Sequence, residues 1–243
     1  MSNLGNANSP VPVSPPPLRT WDFMETAFVS LIAYGVYSLT SGLAFTIVLA
    51  MHDRAKTLSS AQIQADGAAY IVASPLTIAV LWIAIRMARR DFAEYLALNW
   101  PSSGELLRAL AIMAILLSAE SLTLSIVGAE EISPNPYASA ERAGGFLIFL
   151  IAGCIAAPVM EEFVVRGFMF RGWSQSFLGP IGSIVVTSVV WAMIHTQYGW
   201  FGRFWIFATG LALGHFRWRS NSTWLTVMVH SAINIVIFFA MGL

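Results

Sequence analysis

The chain has 243 residues, 57% of them hydrophobic and 11% charged, whereas a soluble domain carries about 25% charged and 45–50% apolar residues. That balance excludes a water-soluble globule, because polar surface is too scarce to cover one. Thirteen basic residues match thirteen acidic ones, which gives no footing for a nucleic-acid partner, and the single cysteine, Cys154, excludes an intramolecular disulfide.

Residues 1–20, with Pro10, Pro12 and Pro15 to Pro17 among Ser and Asn, have the composition of a disordered tail. They lack the basic start and apolar core of a signal peptide. A membrane span needs about 20 mostly apolar residues. Candidate helices run over 25–50, 68–88, 106–128, 143–178, 181–199, 202–217 and 222–242. The fourth is too long for one plain crossing, and Pro158 inside it predicts a kink or break. Turn and charge signals separate the helices, among them Arg89-Arg90-Asp91, Ser133-Pro134-Asn135-Pro136 and Gly179-Pro180. Trp21, Trp100, Trp200 and Trp218 fall near predicted helix ends, where an amphipathic ring suits the bilayer interface. The expected fold is therefore all-α: a polytopic transmembrane helix bundle of about seven or eight spans. Residues 21–142 would form its N-terminal transmembrane helices and 143–243 a C-terminal helical core. Nine basic residues fall on the side of the N-terminus and four on the other, so the N-terminus is expected in the cytoplasm.

Ionisable side chains within a membrane are costly and mark function. Glu161, Glu162 and Arg166 lie in Pro158-Val-Met-Glu-Glu-Phe-Val-Val-Arg-Gly, His195 ends Val189-Val-Trp-Ala-Met-Ile-His, and His230 and Asn234 lie in Val227-Met-Val-His-Ser-Ala-Ile-Asn. Glu162 and Arg166 are four apart with Glu first, the favourable order for a helical ion pair. Glu161, about 100° further round, is left to face something else. His230 and Asn234 share a helix face. Counting about 1.5 Å per residue from the intervening turns puts Glu161, His195 and His230 at similar depth on three successive helices. Apolar surroundings disfavour an ionised carboxylate and so suit a general base. Such a set can hydrolyse a peptide bond. Glu161 would take a proton from water held by His195, His230 and Asn234 would donate to the oxyanion, and Arg166 would neutralise Glu162.

Glu-Glu-x-x-x-Arg, aromatic-x-x-x-His and His-x-x-x-Asn, in this order on successive hydrophobic helices, resemble the type II CAAX prenyl endopeptidases and their bacterial relatives. That superfamily, often called CPBP or Abi, also takes in bacteriocin-processing and bacteriocin-immunity proteins. The resemblance covers residues 143–240 and implies an intramembrane endopeptidase, integral to a bacterial cytoplasmic membrane for a bacterial relative. By motif match Glu161 is the catalytic carboxylate, Glu162 its neighbour, Arg166 the motif arginine, His195 the water-binding histidine, and His230 with Asn234 the oxyanion pair. Trp191 stands where the family commonly has Phe. The N-terminal helices add only compatible hydrophobic length. Partners would be a peptide or protein substrate in or at the membrane, a prenylated CAAX tail being the class taken by eukaryotic members.

Other readings compete. Two His and a Glu with water form an accepted zinc set, here Glu161, His195 and His230. The His-Glu-x-x-His spacing that puts two ligands on one helix face is absent, so no cofactor is favoured. A membrane scaffold or immunity protein that binds without catalysis is the alternative function, and an ion or proton transporter a third. Glu130 and Glu131 read as a solvated loop, His52 as a loop residue and His215 as interfacial, while Glu120 is an isolated acid in the third span.

Overall fold

A computed structural model describes residues 19–51, 58–127 and 146–242. Every regular element among them is helical. Helices α1 (Phe23–Met51) and α2 (Leu58–Met87) pack antiparallel, and α2 begins about ten residues earlier than hydropathy predicts. A short helix that the hydropathy did not anticipate, α3 (Phe92–Tyr95), is capped by Asp91, whose carboxylate accepts from the Glu94 amide. Helix α4 (Ser103–Val127) follows. Beyond it come α5 over residues 146–174, α6 (Gly179–Ile194), α7 (Trp200–Ser220) and α8 (Thr223–Gly242). The proline-rich tail up to residue 18, His52, Glu130 and Glu131 lie outside the described residues.

The lipid-facing surface is plainly apolar. Leu39 is 76% exposed, Ile115 69% and Ile126 75%, a pattern that bilayer tolerates and water does not. Three helices, Phe23–Met51, Ala65–Met87 and Ser103–Val127, are long and apolar enough to cross a membrane, and Gly179–Ile194 and Thr223–Phe239 are shorter apolar helices. The protein is an all-helical integral membrane protein. The core between its helices is built on Met113, Val165, Met169, Trp173, Trp191, Leu213, Leu225 and Val229.

The fourth predicted helix does not break at Pro158. Residues 146–174 run as one helix in which two π-helical stretches, Ala152–Ala156 and Phe163–Met169, alternate with α-helix, and its length of about 43 Å exceeds the hydrocarbon core. The proline explains the first stretch. Its ring clashes with the carbonyl four residues back in a regular α-helix, and a wider turn just before it relieves that crowding. Ala157 N–H reaches five residues back to Ala152 O, and Pro158 has no N–H. Neither donor serves Gly153 O, which instead accepts from Asn234 Nδ2 at 2.7 Å. The second stretch has a similar consequence. Phe170 N–H is spent on Gly167 O and Val165 O, and Arg166 O accepts from Arg217 Nε at 3.0 Å.

Helices α6 and α7 approach closely through small residues. A Cβ on Gly210 would lie 2.9 Å from Ser188 Cβ, and one on Gly214 2.9 Å from an Ile184 methyl, the small-residue packing by which membrane helices associate. Segment 96–99 ties onto the α7–α8 turn: Thr223 N–H donates to Ala97 O at 2.9 Å and Asn99 Nδ2 to Asn221 O at 2.8 Å. This docking fixes where α8, and with it His230, begins.

Candidate active site

Glu161 and Glu162 point to different surroundings, as a 100° step demands. Glu162 is fully buried and forms the expected ion pair, with Arg166 Nη1 2.9 Å from its Oε1. His230 Nδ1 lies 2.9 Å from the same oxygen. Arg166 also reaches Gly210 O at 3.4 Å through Nη2 and lies 4.4 Å from the centroid of the Trp191 ring. Glu162 Oε2 and Arg166 Nε are buried without a hydrogen-bond partner among the described residues. The pair therefore leans on its mutual attraction, on His230 and Gly210 O, and on the indole face.

Glu161 is half-buried and lines a cavity of about 160 Å³ together with His195, Trp191, Tyr34, Tyr37 and Tyr70. Its Oε2 accepts from Trp191 Nε1 at 2.8 Å. His195 is not inside its helix, as the predicted span 181–199 had it. Helix α6 ends at Ile194, and His195 is its C-cap, where the chain turns through 195–199 before α7. His195 Nδ1 lies 2.7 Å from Trp191 O. A carbonyl can only accept, so Nδ1 carries the proton, which leaves Nε2 as the acceptor in the neutral form of the ring.

Trp191 organises the whole cluster. Its ring centroid is 5.1 Å from His195 and 5.3 Å from His230, both edge-on. The cavity thus brings Glu161 and His195 together beside the indole. His230 and Asn234 are not among the side chains lining it; they bind Glu162 and Gly153 respectively. Glu161, His195 and His230 do not form a metal-binding group, and no three His, Cys, Asp or Glu side chains among the described residues do. His215 is exposed near the end of α7, and Tyr198 lies within electrostatic reach of Glu120.

The N-terminal helices contribute more than hydrophobic length. Tyr34 and Tyr37 of α1, and Tyr70 and Thr77 of α2, form one wall of the cavity. The signal was present but faint: Tyr37 and Tyr70 sit in mid-helix, away from the interfacial positions where Tyr is ordinarily found in membranes.

Residues 143–236 match the family model described as type II CAAX prenyl endopeptidase Rce1-like. No curated protein and no solved structure matches the chain. The matched stretch begins just ahead of α5 and ends in α8 past Asn234, so it contains Glu161, Glu162, Arg166, His195, His230 and Asn234. Through these C-terminal helices the chain is similar to the type II CAAX prenyl endopeptidase Rce1-like family.

Proposed function

We infer that the protein is an intramembrane endopeptidase that hydrolyses a peptide bond with water activated by Glu161. The observation that carries this reading is the shared cavity of Glu161 and His195, with the free valences of the two groups complementary to water. Glu161 Oε2 is held by Trp191, which leaves Oε1 to accept a proton. His195 Nε2 is the acceptor nitrogen of its ring. A water bridging them donates one hydrogen to each and turns a lone pair toward the substrate carbonyl. Attack forms the tetrahedral intermediate as a proton moves to Glu161, which returns it to the departing amine. No step of this sequence passes through a metal.

His230 and Asn234 are the candidate oxyanion donors. His230 Nδ1 donates to Glu162 Oε1, so donation from Nε2 to an oxyanion requires the doubly protonated ring. Asn234 spends one amide hydrogen on Gly153 O and keeps the second.

The test is a comparison of membrane proteomes from cells with the wild-type protein and with Glu161→Gln. Peptides that accumulate uncleaved in the variant identify substrates. Indistinguishable proteomes with an unchanged phenotype would instead favour a binding or immunity role.

A further inference from the structure

Beside the cavity of Glu161 lies a second one, of about 330 Å³, between α1 and α2. It is lined by Tyr37, Ser41, Gly42 and Phe45 from α1 and by Asp66, Ala69 and Tyr70 from α2. Tyr37 and Tyr70 line both cavities. Their rings pack 6.0 Å apart at 49°, so they form the partition. The helical registers give the second chamber its direction. Tyr37, Ser41 and Phe45 follow at i, i+4 and i+8 on one face of α1, and Asp66 lies one turn before Tyr70 on one face of α2. Because the helices are antiparallel, both rows run from the tyrosine pair toward the α1–α2 connection. The chamber is thus a slot with aromatic walls, the catalytic carboxylate beyond one end and Asp66 about 6 Å along α2 at the other. Among the described residues no ion pair engages Asp66. At Gly42 a Cβ would meet nothing within 4 Å.

We propose that this chamber is a substrate subsite which takes a basic side chain, Lys or Arg, of the peptide that Glu161 cleaves. The proposal rests on the peptidase reading and adds the substrate's chemistry to it. The fit follows from the shape. A basic side chain is an apolar stem with a charged tip. Its stem would lie between the Tyr37, Phe45 and Tyr70 rings, which also offer cation–π contact, and its tip would reach the carboxylate of Asp66. An acidic side chain there would face like charge, and a short one would not reach Asp66.

The experiment uses the full-length protein in lipid nanodiscs and a nonapeptide library random at every position. Binding is read with Glu161→Gln, so that it does not depend on cleavage, and turnover of the same library is read with wild type. Lys and Arg should be enriched about fivefold at a single position of the bound peptides, the range expected of a partly exposed ion pair. Adding Asp66→Asn should abolish that enrichment, Asp66→Lys should transfer it to Asp and Glu, and Gly42→Leu should weaken it by filling the slot. Equal enrichment with Asp66→Asn, or none with Asp66 present, overturns the subsite. The two readings separate cleanly. Bound peptides with the basic preference that are never cleaved leave the subsite standing and remove the peptidase, while cleavage without a basic preference does the reverse.

Discussion

Trp191 Nε1 donates to Glu161 Oε2 across 2.8 Å, joining α6 to the helix that carries the acidic pair. The same indole supports Arg166 on its face and meets both site histidines. One side chain therefore sets the rotamer of the proposed base and separates it from the ion pair next to it in sequence.

Replacing Trp191 by Phe keeps an aromatic ring for these contacts and deletes the donor. Glu161 is then free to rotate. The expected result is a kcat lowered about tenfold, the scale of one hydrogen bond to a charged group, with KM and thermal stability little changed. A loss confined to stability would show that Trp191 only packs.

Much of the site was legible because intramembrane charge is costly and helical spacing is regular. Glu162 and Arg166 could be paired from their separation alone, and Glu161 assigned to another face. What escaped the sequence was set by tertiary contacts. The π-helical turns arise from Pro158 acting against an otherwise regular helix, and hydropathy is blind to hydrogen-bond register. The partner of Asn234 follows from that register. The C-cap position of His195 was missed because Thr196, Gln197, Tyr198 and Gly199 do not interrupt an apolar run sharply. Tyr37 and Tyr70 escaped because aromatic residues in a span are usually packing material.

The Asn234 hydrogen bond predicts a split outcome. Asn234→Ala leaves Gly153 O without its donor, a loss of about 1–3 kcal/mol where that carbonyl cannot find another. Unfolding in detergent should register the loss even in protein already inactivated by Glu161→Gln. Unchanged stability would show that Asn234 is dispensable to the fold and would leave only its proposed role toward substrate.

Breaking the buried ion pair should be costlier than removing it. Arg166→Met strands the Glu162 carboxylate and is expected to cost about 3–5 kcal/mol. Arg166→Met with Glu162→Gln should recover part of that, since no buried carboxylate then lacks its guanidinium partner. The check is a thermal or denaturant series on both variants, and a double variant no more stable than the single one would contradict the pairing.

Metal provides a separate test of mechanism. The purified protein should retain activity after prolonged chelation, and elemental analysis should find well under one zinc per chain. Activity that falls on chelation and returns with stoichiometric zinc would replace the mechanism while leaving Glu161 and His195 at its centre.

The most direct test of the central claim, that Glu161 and His195 act on one water, is a double-mutant cycle in proteoliposomes on one cleavable reporter. Glu161→Gln and His195→Ala should each abolish nearly all turnover while the protein remains folded and inserted. Residues that work as a unit are strongly non-additive, so the double variant should be little worse than either single one. Full activity in Glu161→Gln, or losses that multiply in the double variant, would contradict a shared catalytic water.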